Sequence, residues 1–206
     1  GTLFPYTTLF RSSYTRTNAP RLGVRRRRAL VEAVLEGAAD AGLIRTSVWT
    51  FGRTDTPRYS SVTRDSFLGF GPSAASLLPN TFAVNHFSVD RYVRSVLAGV
   101  QPVALVARFS PRERALFWLF WQTYQLRISR TGFREEFGRE IEAMFGAELA
   151  AAVRLGILAR EPGHYAVTDL GARLYHTVEQ LYTHRYIDRV WRLSRETDAA
   201  GRVTIW

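Results

Sequence analysis

The chain has 206 residues, of which 46% are hydrophobic, enough to bury a core in one large domain or two small ones. It has no cysteine, which excludes disulfides, thiolate-bound zinc and cysteine-held iron–sulfur clusters within these residues. All 28 basic residues are arginine and the net charge is +10, which indicates an anionic partner such as nucleic acid or a small polycarboxylate. No apolar run is long enough to cross a bilayer and no signal-peptide pattern occurs, so we expect a cytoplasmic protein with no membrane partner.

Residues 1–12 look like the in-frame translation of a sequencing-library adapter. The segment from Thr2 to Ser12 has neither a helical nor a strand period. An ordinary N-terminal tail is the alternative interpretation. We expect these residues to be disordered and to lie outside the fold, and we expect the chain to be the tail of a longer protein.

A first helix is predicted over residues 24–42 and is followed by a strand over residues 43–51. Apolar residues recur at helical spacing, at Leu30, Val34, Ala38 and Ala41. Four arginines at positions 25–28 form its first turn, and a solvated turn is favoured there over a nucleic-acid site. Val48 and Trp49 favour the strand. A helix followed by a strand is half of the βαβ repeat of a parallel sheet or barrel.

A glycine-rich segment follows at residues 65–76. The apolar run at its start predicts a short buried strand, after which two glycines and a proline turn the chain into small residues. Glycine tolerates positive φ and close contact, and a strand end followed by a small-residue loop commonly holds a ligand in α/β proteins. A plain turn is the alternative, because short glycine motifs are common. Residues 89–97 then predict a short helix that ends at Gly99.

A second unit begins near residue 100. Ser110 and Glu113 form a capping box with Pro111 at the first helical position. Residues 115–121 are apolar on every side, which predicts a buried helix. Two further helices follow, broken at Gly138 and ended at Gly156, with apolar faces made by Phe133, Phe137 and Ile141 and by Phe145, Leu149 and Val153.

The chain then predicts a hairpin and a closing helix. The hairpin strands, residues 157–160 and 165–167, flank Pro162 and Gly163, and the helix is capped by Thr168 or Asp169. Three helices, a hairpin and a closing helix are the parts of a winged-helix domain. Its recognition helix, residues 146–155, offers only Glu148 and Arg154 as polar side chains, and base readout needs more, so nucleic acid is not the expected partner. A later stripe, at Arg185, Arg189 and Arg192, is interpreted as a solvated face.

The four histidines do not predict a metal site. They are scattered, and His176 and His184 lie eight residues apart, too far for the usual pair of ligands on one helix.

The chain resembles the C-terminal part of the oxygen-independent coproporphyrinogen III oxidase family of radical S-adenosylmethionine enzymes. The resemblance covers residues 24–195 and is strongest over residues 47–99. Several motifs carry it in the right order. They are Ser47-Val48-Trp49-Thr50-Phe51, Pro57-Arg58-Tyr59-Ser60-Ser61, the run from Phe67 to Ser76, Asn85 with Tyr92, Phe133-x-x-x-Phe137-Gly138, Leu155-Gly156-Ile157-Leu158 and Val167-Thr168-x-x-Gly171.

The resemblance implies an α/β plus α+β fold. Residues 13–99 would be the last βα elements of a partial TIM-like barrel, and residues 100–206 a winged-helix-like C-terminal domain. The family holds a [4Fe–4S] cluster on a Cys-x3-Cys-x2-Cys loop and cleaves S-adenosylmethionine to a radical, which in the oxidases leads to decarboxylation of propionate side chains. Gly69, Gly71 and Ala75 would lie beside S-adenosylmethionine, the small side chain of Ala75 letting the cofactor lie on the backbone.

The departures from the family limit what this chain can do alone. Because the cluster cysteines are absent, we predict that the chain by itself is inactive and binds neither cofactor stably, and we assign it no catalytic or metal-binding residue. The expected partner of the parent protein is a tetrapyrrole, whose carboxylates suit arginine. The family also contains haem chaperones, in which case His86 or His176 would be a haem ligand. A winged-helix interaction or DNA-binding module is the third alternative.

Overall fold

The computed structural model describes residues 23–53, 66–175 and 203–204. Several sequence predictions lie outside these residues. They concern residues 1–12, the motif at residues 57–61, His176 and His184, and the arginine stripe at residues 185–192. The described residues have a mixed α/β architecture with small sheets, and they form no closed barrel. None of the helices in these ranges combines the length and apolar character that a membrane crossing requires.

The described ranges contain five helices with defined bounds and nine short strands. The helices are α1 (Val24–Asp40), α2 (Val89–Leu97), α3 (Pro111–Tyr124), α4 (Arg130–Phe137) and α5 (Ile141–Arg154). The strands are β1 (Ile44–Arg45), β2 (Phe51–Gly52), β3 (Ala75–Leu78), β4 (Thr81–Asn85), β5 (Val103–Arg108), β6 (Arg127–Ser129), β7 (Leu158–Glu161), β8 (His164–Val167) and β9 (Val203–Thr204). Residues 169–175 are also helical.

The strands form three sheets. β1 pairs with β2, a second sheet has the order β3-β4-β5-β9, and a third has the order β6-β8-β7. Only β5 and β9 pair in parallel, so these residues do not show the parallel βα repeat that the sequence predicted. The reason is local. Pro79 and Asn80 alone connect β3 to β4, and so short a connection joins only antiparallel strands.

The predicted first helix is confirmed, but the predicted strand over residues 43–51 is wrong. The chain forms a tight hairpin there, because the Ser47 hydroxyl accepts hydrogen bonds from the backbone N–H groups of Trp49 and Thr50. Side-chain acceptors of this kind turn the chain away from a regular strand. The apolar face of α1 and this hairpin line a cavity of about 190 Å³, formed by Leu30, Val31, Val34, Leu35, Arg45, Val48, Trp49 and Phe51.

The helices of the second unit and their hairpin are confirmed. Ser110 and Glu113 make both hydrogen bonds of the capping box, and α4 ends at Gly138 with φ 66°. One cluster unites the predicted apolar faces, with its buried members at Ala115, Trp118, Ile128, Phe133, Ile141, Phe145, Leu149, Leu158 and Tyr165. β6, which the sequence did not predict, adds Ile128 to this cluster and pairs with β8.

The prediction that α3 is buried on every side is wrong. Leu116 is exposed, while Arg114 is buried. The aromatic residues of α3 instead divide between two neighbours. Phe117 lies against Phe82 of β4, and Trp118 makes an edge contact with Phe133 of α4.

The strands around residue 100 belong to one sheet. β5 starts beyond the predicted boundary at residues 99/100 and pairs with β4, which precedes it. Arg114 adds a second connection, because its Nε donates to the Pro79 carbonyl in the β3–β4 turn at 3.0 Å and its Nη2 donates to Glu136 of α4 at 2.8 Å. The sheet that carries the glycine-rich segment is therefore fixed to the helices that follow it.

Candidate functional site

The glycine loop, residues 69–76, is held by hydrogen bonds from three parts of the chain. Gly69 N–H donates to the Ser76 hydroxyl within the loop at 3.0 Å, and Gly71 N–H donates to the phenolic oxygen of Tyr92 in α2 at 3.1 Å. The amide Nδ2 of Asn85 donates to the carbonyls of Gly69 and Gly71, at 3.4 and 3.0 Å. These contacts fix the path of both glycines.

Asn85 is the centre of this arrangement. Its side chain is buried, with the residue 7% exposed, and it lies at a register shift where β4 leaves β5. Its backbone N–H donates to Ala74, and the next residue, His86, accepts from Ser73 N–H, each at 2.9 Å. A buried amide must find partners, and here the loop carbonyls supply them.

The two glycines are required for different reasons. A Cβ on Gly69 would overlap the backbone carbonyl of Ala75. The group that comes close to Gly69 is therefore the backbone of this chain and not a ligand. Gly71 has φ +104°, which favours glycine, and a Cβ there would meet nothing within 4 Å. Within the described structure, open space therefore adjoins Gly71 and not Gly69.

Ala75 is the first residue of β3, where it pairs with Val84. It is partly buried and packs against the apolar cluster that contains Val84, Ala104 and Leu105. The need for a small side chain at this position thus has a packing explanation within the sheet. The contact of Gly69, Gly71 and Ala75 with S-adenosylmethionine stays a prediction.

The buried strand predicted at the start of this segment is wrong. Phe67 pairs with Leu77 through two backbone hydrogen bonds, at 3.0 and 2.9 Å, but this is a single bridge at the margin of the sheet. Leu68 is 63% exposed and Phe70 is 86% exposed. An apolar run alone does not show whether a second layer covers the strand, and no described residue covers these two side chains.

The side chains that hold the loop have no role that the sequence pattern alone predicts. Asn85 and Tyr92 served only as markers of the resemblance, and Ser76 only as the end of a motif. The sequence contains one signal for the role of Asn85. A lone asparagine at the end of an apolar strand is a polar group that must be satisfied after burial.

The described residues offer no obvious metal centre. They contain no group of three or more His, Asp or Glu side chains placed to hold a metal ion. His86 lies beside the glycine loop and is partly buried, and His164 forms a 3.0 Å contact with Glu161 in the hairpin. Because the chain has no cysteine, its residues do not fit a [4Fe–4S] cluster.

The helix in the recognition position, α5, is bonded to the neighbouring helix α3. Glu148 of α5 forms an ion pair with Arg112 of α3, whose guanidinium also donates to the Met144 carbonyl and lies over the Phe145 ring. Arg154 is exposed at the end of the helix. The charged side chains of α5 are thus the carboxylates of Glu142 and Glu148 and the guanidinium of Arg154, a poor set for reading bases.

The sequence matches no family model, and no curated protein matches it significantly. A solved structure is similar to the chain, that of coproporphyrinogen III oxidase (HemN) from Escherichia coli, described as a radical SAM enzyme. Its TM-score is 0.56 at 14% sequence identity, and the similarity covers 75% of this chain and 40% of the enzyme's chain. The chain therefore spans about two fifths of the enzyme that it matches. At this identity the similarity concerns the fold, which is compatible with part of a HemN-like radical SAM fold.

Proposed function

We propose that the chain is the C-terminal part of a coproporphyrinogen III oxidase-like radical SAM protein that acts in haem biosynthesis in the cytoplasm. The observation that carries the proposal is the similarity of the fold to that of one solved enzyme, taken together with the motifs of the sequence. The motifs of the sequence resemble this family, and the fold of the described residues is similar to that of an enzyme of the same kind. The substrate of the parent protein would be a tetrapyrrole with several carboxylates.

The order of elements that follows β5 supports a winged-helix-like second unit. The second unit has the order helix, strand, helix, helix and hairpin, from α3 to β8, which is the order of elements in a winged-helix-like domain. In the proposal this unit packs against the barrel and does not read DNA. The contacts of Arg114 with the β3–β4 turn and with Glu136 are consistent with such a packing role.

The glycine loop would form the wall of the cofactor site. The Asn85 amide donates a hydrogen bond to its backbone and the Tyr92 hydroxyl accepts one from it, which holds the loop in one path, and the space beside Gly71 is open to a ligand. S-adenosylmethionine would supply the radical chemistry in the parent protein. The role of this chain would be limited to shaping the site, because its residues cannot hold the cluster that starts the reaction.

Anaerobic treatment of the chain with iron and sulfide tests its proposed inactivity. We expect no iron–sulfur charge-transfer absorbance and no cleavage of S-adenosylmethionine, since no thiolate is present. A bound cluster with cofactor cleavage would contradict the proposal.

The genomic sequence upstream of this coding segment tests the family assignment. We expect an open reading frame in phase with this chain that carries three cysteines at the Cys-x3-Cys-x2-Cys spacing. A frame without them would refute the assignment. On the protein encoded by that frame, formation of a decarboxylated porphyrinogen would support the oxidase, whereas a Soret shift on haem titration without turnover would favour the haem chaperone.

A further inference from the structure

Helix α2 turns its larger aliphatic side chains away from the rest of the described structure. They recur at helical spacing and continue just beyond the end of the helix, and each is between 43% and 82% exposed: Val89, Val93, Val96, Leu97 and Val100. On the other side of the helix, Tyr92 and Ser95 are partly buried, and no residue of α2 is fully buried. An amphipathic helix normally turns its apolar face toward a core. These five aliphatic residues, the outer stripe, therefore form a face that no described residue covers.

The missing cover is a property of the whole first unit and not of α2 alone. Of the sixteen exposed large hydrophobic residues in the described ranges, twelve lie before residue 101. Helices α3, α4 and α5 each bury at least one side chain, whereas no described side chain of α1 or α2 is buried. The cluster around Val84 contains three buried residues, against nine in the cluster of the second unit. So small a core does not stabilise a folded unit by itself, and the first unit needs a further apolar layer.

We propose that the preceding part of the parent protein supplies this layer and packs an apolar face of its own against the outer stripe. The inference rests on the proposed function, in which the chain is the C-terminal part of a longer protein. The similarity covers 40% of the chain of the solved enzyme, so more than half of that enzyme lies outside it. A protein of that size has enough additional chain to cover the stripe.

The position of the stripe favours this occupant over others. Tyr92 is three residues after Val89 and four before Val96, so it adjoins the stripe on the surface of the helix. Its phenolic oxygen accepts the hydrogen bond from Gly71 N–H at 3.1 Å, which places the glycine loop next to the stripe. In the proposed function this loop is a wall of the cofactor site, so the part of the protein that holds the cofactor must lie beside it. A second copy or a lipid bilayer on the stripe would compete with that part for the same space.

Amide hydrogen exchange tests the proposal by comparing the isolated chain with the parent protein that the upstream reading frame encodes. We expect the amides of residues 92–97 to exchange more slowly in the parent protein by about ten-fold or more, because covering the stripe suppresses local opening of α2. The amides of α5 are the internal reference. Ile141, Phe145 and Leu149 are already buried within this chain, so exchange in α5 should change much less.

A lysine in the middle of the stripe distinguishes the two proteins. Val96→Lys in the parent protein should accelerate exchange over residues 92–97 by about ten-fold or more, because it places an unpaired charge in an apolar interface. The same variant should change exchange little in the isolated chain, where Val96 is already 49% exposed. If Val96→Lys prevents the parent protein from folding, Val96→Thr supplies the same comparison with a smaller effect, since it adds only a hydroxyl.

Ala98→Lys is the matched control. Ala98 is exposed and lies two residues after Val96, which is the opposite side of a helix, so the same charge there should have little effect in either protein. Equal effects of the two lysine variants in the parent protein would overturn the proposal. Unchanged exchange of residues 92–97 between the isolated chain and the parent protein would overturn it as well.

The other occupants give different results. Protection that is lost when the parent protein is diluted to a monomer would assign the stripe to a second copy. Protection that the isolated chain gains on vesicles of phosphatidylserine and phosphatidylcholine would assign it to a bilayer, and either result would overturn the proposal. The cysteine motif is a separate readout. An upstream part with the cysteines that leaves the stripe unprotected would refute the packing alone, whereas one without them that protects the stripe would refute the proposed function alone.

Discussion

At the scale of single residues, Gly69 is the position where the glycine loop is most sensitive to an added atom. We predict that Gly69→Ala destabilises the protein by about 2–4 kcal/mol, because the new Cβ would overlap the carbonyl of Ala75, and a paired strand cannot move away easily. The midpoint and slope of urea unfolding measure this change.

Two other glycines serve as controls for this prediction. Gly37→Ala in α1 should be neutral or stabilising by up to about 1 kcal/mol, since nothing lies within 4 Å of the added Cβ and alanine favours a helix. Gly71→Ala should cost about 1–2 kcal/mol, from backbone strain at φ +104° without a clash. If the Gly69→Ala variant were as stable as the Gly37→Ala variant, this would contradict the close contact between Gly69 and the Ala75 carbonyl.

Glu142 gives the protein a predicted dependence on acid pH. Burial raises the pKa of Glu142, but its own backbone N–H, the Tyr165 hydroxyl at 2.9 Å and Arg130 at 2.7 Å together lower that pKa by more. The pKa of the folded state thus lies below the ordinary value of 4.5. The resulting stability is fully present above that ordinary value and is lost as the pH falls through the lower, folded pKa.

Glu142→Gln should therefore reduce stability at neutral pH by about 1 kcal/mol and flatten the loss of stability on acidification. Thermal midpoints across the acidic range measure both effects. Tyr165→Phe keeps the carboxylate but removes one of its donors, so it should give an acid dependence between those of the wild type and Glu142→Gln. A steeper acid dependence in Glu142→Gln than in the wild type would contradict the assigned direction of the pKa shift.

At the scale of elements, Arg114 joins the sheet to the helices. Its guanidinium is buried, donates to the Pro79 carbonyl and Glu136, and lies over the Phe137 ring. We predict that Arg114→Met costs about 3 kcal/mol, because it removes the hydrogen bonds that a buried guanidinium donates to a carbonyl and to a partly buried carboxylate. Urea unfolding measures the loss.

Arg112 is the matched control on the same helix. It also forms an ion pair, with Glu148, but both of these side chains are more than half exposed. Arg112→Met should cost about 1 kcal/mol or less, since exposed pairs contribute little. Equal losses in the Arg114 and Arg112 variants would show that Arg114 does not act as a buried connection.

The elements that the sequence predicted well are those with local causes. The start of α3 depends on Ser110, Pro111 and Glu113, which lie within four residues and make their bonds to one another. The end of α4 at Gly138 depends on one left-handed residue. The strand over residues 43–51 failed for a local reason as well, because the Ser47 hydroxyl competes with strand pairing in a way that the apolar alternation does not reveal.

The candidate site was predicted only in part, because its geometry depends on contacts between distant residues. The glycines at positions 69 and 71 were visible as an unusual pair. Their partners Asn85 and Tyr92 lie 14 and 21 residues from Gly71, and nothing in the local pattern directs those side chains to the loop. The contact between the Ala75 carbonyl and Gly69 is equally hidden from the local pattern, because it exists only when β3 has formed.

At the scale of the whole molecule, the net charge and the surface of α5 point to different partners. A net charge of +10 and a helical unit with a hairpin are common in DNA-binding proteins. The described surface of α5 argues against such a role, since Glu148 is paired with Arg112 and Arg154 is the one cationic side chain of that helix. Charge alone supplies attraction to phosphate without sequence preference.

We therefore predict that the chain binds random duplex DNA only weakly, and only at low salt. Fluorescence anisotropy should detect a complex at about 50 mM salt that is largely lost by about 200 mM, because each phosphate contact contributes to the salt dependence. Arg154→Gln should weaken this binding slightly and equally for all sequences, as removal of one phosphate contact does. Two results together would contradict this prediction: tight binding at the higher salt, and a preference among sequences that Arg154→Gln abolishes. They would indicate that α5 reads bases, and they would argue against the packing role proposed for the second unit.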